Sequence, residues 1–160
     1  MSTFDKEEFP REYINAQANI VGECMINSAK LGIDSDDFAE KLMTSDYGVM
    51  VMTDRRMIEY SCANFMLEGF TREMKFKKGG HYDADTLWMA GYLYKYWTST
   101  RHADPREIYK IAPIRKLAIR YNFYHTQGFE YIIEDLIDRQ ECPLMNDKEL
   151  EKVLKTEEAI

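Results

Sequence analysis

The chain has 160 residues, a formal charge of −7, 45% hydrophobic and 13% aromatic residues. That much apolar mass excludes global disorder, and four prolines and eight glycines are too few to punctuate a many-turned β-sandwich. The negative total argues against a general nucleic-acid binder and suits a partner with a basic surface.

In chain order, the first helix is expected from Pro10 to Leu31, with Pro10 tolerated in the first turn and Glu12 near the positive end of the dipole. Tyr13, Gln17, Ile20, Cys24, Ser28 and Leu31 trace one stripe, widened by Val21 and Met25, and Gly32 is the natural stop. Ser35 then caps a short second helix, with Asp36 and Asp37 in its first turn and Phe38 and Leu42 as an i, i+4 pair, ending near Met43. Tyr47–Met52 permits a strand, but a lone strand has no partner, so it reads as the start of another helix. Ile58, Cys62, Phe65, Met66 and Gly69 continue a helical stripe between Thr53 and Phe70.

Phe70–Asp85 reads as a connector. Lys75, Lys77 and Lys78 flank Phe76 as a solvated run, and Gly79-Gly80 lacks the remaining residues of a phosphate loop. Asp85 or Thr86 then caps a helix carrying Leu87, Trp88, Met89, Tyr92, Leu93, Tyr94, Tyr96 and Trp97. Apolar residues lie all round it. It is either the centre of the core or a partner surface presenting Trp88, Tyr92, Tyr96 and Trp97. Asp104-Pro105-Arg106-Glu107 carries the signature of a capping box, and Pro113 interrupts the helix that follows. Beyond it Ile114, Leu117, Ala118 and Tyr121 lie on one side, and Arg115, Lys116 and Arg120 on the other. With Arg106 and Lys110 these form the basic cluster of the chain: a solvated face, or a dock for an acidic partner.

Tyr121–Ile137 closes the pattern. Thr126 is expected to cap a helix whose Phe129, Ile132, Ile133, Leu136 and Ile137 share one face, with Glu130, Glu134 and Asp135 on the other. Tyr124-His125-Thr126 reads as a hinge, its imidazole bonded to a backbone carbonyl or packed on Tyr124. The expected fold is an all-α compact helical bundle of about six to eight helices. Two half-repeats, residues 10–70 and 85–140, suggest a degenerate duplication of three or four helices each within a single domain, followed by a tail, 141–160.

Cys24, Cys62 and Cys142 are odd in number and form no C-x-x-C pair, as for free thiols in a reducing compartment. His81, His102 and His125 lack ligand spacing, so neither metal nor cofactor is expected. The opening MSTFDKEEFPRE is no signal peptide, and no run reaches the length of a membrane span; the expected location is cytoplasmic.

Tyr124-His125-Thr126-Gln127-Gly128-Phe129-Glu130-Tyr131-Ile132-Ile133-Glu134-Asp135-Leu136 resembles the closing segment of a family of small helical bacterial proteins, domain-of-unknown-function family 3791, and Gly32-Ile33-Asp34-Ser35 resembles its first turn. The resemblance spans about half the chain. It implies a helical partner protein of toxin–antitoxin-like operons, encoded beside ADP-ribosyltransferase-like proteins, and it transfers no catalytic residue.

The leading expectation is therefore a non-enzymatic, antitoxin-like interaction module that occludes a cytoplasmic enzyme, with homo-oligomers as a further form. Its partner-binding candidates are Trp88, Tyr92, Tyr96, Trp97, Arg115, Lys116, Arg120, Tyr124 and His125. A nucleic-acid-binding regulator using the basic helix Arg106–Arg120 is a second reading, against which stands the chain's charge. An enzyme with His125 as general base, Tyr124 or Glu130 as its partner and Cys62 or Ser61 as nucleophile is a third.

Overall fold

The computed structural model describes residues 10–55 and 62–140. Ile58, Ser61, Cys142, the run before Pro10 and the tail 141–160 lie outside the described residues. Among those described there are nine helices and no strand; Ile33 and Lys78 form an isolated antiparallel bridge. In chain order they are α1 (Arg11–Lys30), α2 (Ser35–Thr44), α3 (Asp46–Thr53), α4 (Ala63–Glu73), α5 (Ala84–Arg101), α6 (Pro105–Ile111), α7 (Ile114–Ile119), α8 (Tyr121–Tyr124) and α9 (Phe129–Arg139). The fold is all-α, as expected. The helices outnumber the expectation at two points: the helical stretch expected from Tyr47 to Phe70 contains α3, which ends at the extended Asp54, and α4, which starts after the extended Cys62, and Arg120 separates α7 from α8. The expected break between α2 and α3 falls at Ser45, which is extended and accepts from the Gly48 amide.

The long helices α1 and α5 pack together, and two glycines set how closely. A Cβ built on Gly91 would lie 2.7 Å from the Val21 carbonyl oxygen and 2.8 Å from Gly22 Cα. One built on Gly22 would lie 2.7 Å from Trp88 Cδ1. This close crossing selects the buried face of α1: Ile14, Ala18, Val21, Met25 and Ala29, beside Gln17, Cys24 and Ser28. Tyr13 and Leu31, expected on that stripe, sit at its ends and are exposed. The crossing also decides the role of α5. Leu87, Ala90, Leu93, Tyr94, Lys95, Tyr96 and Trp97 are all buried, so it is the centre of the core.

Gly32 ends α1 with a φ of 80°, which glycine adopts without a Cβ clash. Its amide reaches the Ala29 carbonyl at 2.9 Å and the Ile33 amide reaches the Ser28 carbonyl at 3.1 Å, a Schellman closure with the buried Ile33 as its hydrophobic contact. The cap of α2 is Asp34, whose carboxylate accepts from the Asp37 amide at 3.1 Å, and not Ser35, which is buried.

The expected solvated connector is tied to this turn instead. Asp34 and Ser35 amides donate to the carbonyls of Lys77 and Gly80 at 2.8 and 3.0 Å, and Gly79 donates to Gly32 at 3.2 Å. The Lys77 amide donates to Asp37 Oδ2 at 2.8 Å, and Lys41 bridges that carboxylate to the Lys75 carbonyl. The lysine side chains are exposed while their backbone is fixed, and the Lys78 ammonium donates to the Leu31 carbonyl at 2.9 Å. Gly79 is needed because a Cβ there would strike the Asp34 side chain.

Among the described residues of the stripe expected through Ile58 and Cys62, Cys62 is extended and α4 starts at Ala63; Phe65, placed on the stripe, is 63% exposed, and Ala63, Met66, Leu67 and Phe70 are buried. Asp104 caps α6, accepting from the Arg106 amide at 2.9 Å. Glu107 does not complete the capping box, since its carboxylate accepts from Lys110 at 3.1 Å.

Candidate functional site

A short helical hairpin, α8 and α9, lies against α5 and forms the site. Tyr124 is fully buried and its hydroxyl donates to Asp135 Oδ2 at 2.6 Å. Arg120 and Arg139 reach the same carboxylate at 3.4 and 3.0 Å. Asp135 was expected on the solvent face with Glu130 and Glu134, yet it stands between α8 and α9 because the phenol and two cations converge there. Burial raises its carboxyl, but the Tyr124 and Arg139 hydrogen bonds and the two guanidinium charges outweigh this and hold it below the usual range. On the other side Tyr96 donates to Glu130 at 2.8 Å, Arg101 pairs with Glu130 and Glu134 at 2.9 and 2.8 Å, and Arg11 donates to the Tyr96 hydroxyl at 2.7 Å. These bonds fasten α9 to α5 and α1.

The hinge differs from the sequence expectation in its details. Thr126 donates to the Phe123 carbonyl at 3.0 Å and does not cap α9; the N-cap is Gly128, which has no side chain to offer. His125 is exposed, its Nδ1 2.9 Å from the Tyr121 carbonyl and its ring stacked on Tyr121, with centroids 4.9 Å apart and planes at 14°. It packs on Tyr121, not on Tyr124. A carbonyl only accepts, so Nδ1 carries a proton in this hydrogen bond.

Between α5 and this hairpin runs a groove of about 370 Å³. Asp85, Trp88 and Met89 of α5 form one wall; Tyr121, Tyr124, His125 and Gln127 form another; Phe129 and Ile132 of α9 close it. Trp88, Tyr92 and Phe129 make an aromatic ladder, with centroids 4.9 and 4.5 Å apart. The Trp88 indole N–H donates to Asn19 and the Tyr92 hydroxyl to Asn15, both at 2.9 Å, so their polar ends belong to α1. Among the described residues, Asp85 is the one formally charged residue lining the groove. Burial, then the negative charges of Asp85 and Asp83, push the Tyr121 phenol up.

Of the sequence-based candidates, the structure thus gathers Trp88, Tyr124 and His125 at the groove, with Tyr92 behind it. Tyr96 and Trp97 do not belong to a surface: 5% and 3% exposed, they are core. The basic cluster is dispersed by its partners. Arg120 is held by Asp135, and Lys116 donates to the Ile111 carbonyl at 2.9 Å, its ammonium pushed down by burial and then by Arg120. Arg106 and Lys110 pair with Asp46 and Glu107, and Arg115 is exposed.

Nor, among the described residues, does the structure bring together the groups named for a His125 base; Ser61 lies outside them. Glu130 is engaged by Tyr96 and Arg101, Tyr124 by Asp135, and Cys62 does not line the groove. Sequence reasoning missed Asp85, Gln127 and Phe129 as groove residues, and Phe123 and Tyr131 as exposed aromatics beside it. The i, i+4 spacing of Tyr121 and His125 was the available signal for the stacked pair.

Elsewhere, Lys95 is 1% exposed and donates to the Met52 carbonyl at the end of α3 at 2.6 Å; burial lowers its ammonium to about 8. Beside that helix end, Met52, Thr53, Arg55, Thr98, Ser99 and His102 line a second cavity, of about 200 Å³. Among the described residues no group of His, Cys, Asp and Glu side chains gathers as a metal site, and no helix is long and apolar enough to cross a membrane. Compared with protein-family models, with curated proteins and with solved structures, the chain matches none.

Proposed function

We propose that this protein is a non-enzymatic interaction module that receives a partner protein at the α5–α8–α9 groove. The observation that supports the reading is the concentration of accessible aromatic surface there. Phe123 and Tyr131, each 47% exposed, lie edge to face at 6.1 Å, and Phe123 packs on Tyr124, a groove residue, at 5.7 Å. Exposed Tyr, Trp and Phe clustered around a concavity are the composition of a binding hot spot. The net charge of −7 steers a basic partner. The family resemblance adds the finer proposal, that of an antitoxin-like protein occluding a cytoplasmic enzyme, an ADP-ribosyltransferase-like toxin in the first instance.

The test uses the full chain and a Phe123→Ser/Tyr131→Ser variant as baits in extract of the native host, with matched thermal melts. The expected result is a protein retained by the unaltered chain and lost from the variant. Equal retention by both would remove the groove face from the reading, and concentration-dependent sedimentation lost in the variant would replace the partner with a second copy of this chain.

A further inference from the structure

We infer that the groove is a receptor for a guanidinium group: an arginine side chain of the partner laid against the Tyr121–His125 ring pair and paired with the Asp85 carboxylate. The inference rests on the reading above for its partner, and on the groove's own chemistry for its ligand.

The charge of the groove selects a cation. Among the described residues, Asp85 is its one formally charged lining residue and makes no hydrogen bond or ion pair. Asp83 adds negative potential from the same helix start, although its own carboxylate is committed to the Thr86 amide at 2.8 Å. An anion is disfavoured at the same place. The first turn of α5 would attract one through its free amides, but Asp83 caps it and Asp85 stands in it. Arg120, which lies over the ring of the groove residue Tyr124, is already paired with Asp135.

The walls select a flat cation. Tyr121 and His125 stack within 14° of parallel and both line the groove, so the pair offers a flat ring face there. A guanidinium stacks on such a surface and is weakly hydrated, whereas an ammonium is compact and holds its water. The His125 ring is held by its Nδ1 contact to the Tyr121 carbonyl at 2.9 Å, which fixes the face that a guanidinium lies against. The Trp88–Tyr92–Phe129 ladder provides the apolar surface that an arginine's methylene stem covers.

The experiment titrates the full chain with N-acetyl-arginine amide, N-acetyl-lysine amide and N-acetyl-citrulline amide, following the Tyr121 and His125 ring resonances and Trp88 fluorescence. Saturable shifts with the arginine probe are expected, with affinity lower by about tenfold or more for citrulline, which keeps the shape and loses the charge. Asp85→Asn, checked by its melting curve, is expected to abolish the preference. Equal response to citrulline, equal response to lysine, an unchanged Asp85→Asn variant, or no response at the groove would each overturn the guanidinium assignment. That failure is separable from failure of the interaction reading, because the Phe123/Tyr131 capture experiment stands whether or not the ligand is arginine.

Discussion

Tyr124 and His125 are neighbours with opposite roles. Tyr124 is buried and donates to a carboxylate, a charge-assisted bond, so Tyr124→Phe is expected to cost about 1.5–3 kcal/mol in urea melts. His125 is exposed, and its carbonyl bond and stacking both face solvent, so His125→Ala should cost less than about 1 kcal/mol. Because the Asp135 carboxyl is held below its ordinary value, its contribution is present above the unfolded pKa of about 3.9 and fades as pH falls through the lower folded one. Tyr124→Phe should therefore flatten the loss of stability below about pH 4, read from urea midpoints across that range. Lys95 works in the other direction. Its folded value of about 8 lies below the unfolded one, so a cost of keeping it charged is complete below pH 8 and is relieved as pH rises toward about 10.4. Relative to Lys95→Met, the unaltered chain should gain about 2 kcal/mol between about pH 7.5 and 9.5. Above about pH 10 the absolute stability of both proteins falls, because burial raises the phenols of Tyr82, Tyr94 and Tyr109 and the unfolded chain then loses protons first; this cancels in the difference. A flat difference between the two profiles would mean that Lys95 is solvated in solution.

At the scale of elements, the crossing of α1 on α5 and the start of α9 give opposite forecasts for the same substitution site type, a glycine. Gly91→Ala gains roughly 1 kcal/mol in helix propensity but drives a methyl into the Val21 carbonyl, and a net loss of about 1–3 kcal/mol is expected from overpacking. Gly128 has nothing within 4 Å of where a Cβ would stand, and its φ of −71° suits any residue. Gly128→Ser should add about 0.5–1 kcal/mol, supplying the cap that Thr126 does not and restricting the unfolded chain. Thermal and urea melts of both variants decide the matter; an Ala at 91 that stabilises would show that α1 and α5 stand further apart. The face of α9 that the periodicity marked is the one buried. Ile132, Ile133 and Leu136 lie in the core, and Ile133→Ala should cost about 2–5 kcal/mol as a truncation at a fully enclosed position.

For the whole molecule the relevant property is the distribution of charge rather than its total. The basic residues of α6 and α7 look like a patch along the sequence, but the fold turns Arg106 to Asp46, Lys110 to Glu107 and Arg120 to Asp135. No salt-sensitive affinity for duplex DNA or RNA is expected near physiological salt; micromolar binding lost on charge reversal at Arg115, Lys116 and Arg120 would promote the nucleic-acid reading.

The helical class, the Gly32 stop, the Asp104 start and the apolar face of α9 were legible in the sequence, because each rests on contacts within a few residues: a cap, a left-handed glycine, a 3.6-residue period. The rest depended on groups distant along the chain. That Tyr96 and Trp97 are core while Phe123 and Tyr131 are exposed follows from which sides of α5, α8 and α9 meet, and aromatic residues are compatible with either environment. Lys75–Gly80 reads as a solvated connector by composition, and it is fixed only because the amides and carboxylates at the start of α2 lie beside it. The groove was least legible of all. Asp85 and Gln127 are unremarkable along the chain, and they share a site with Tyr121 and His125 because Tyr124, Asp135 and Arg120 fold α8 onto α9 while Glu130 and Arg101 fasten that hairpin to α5.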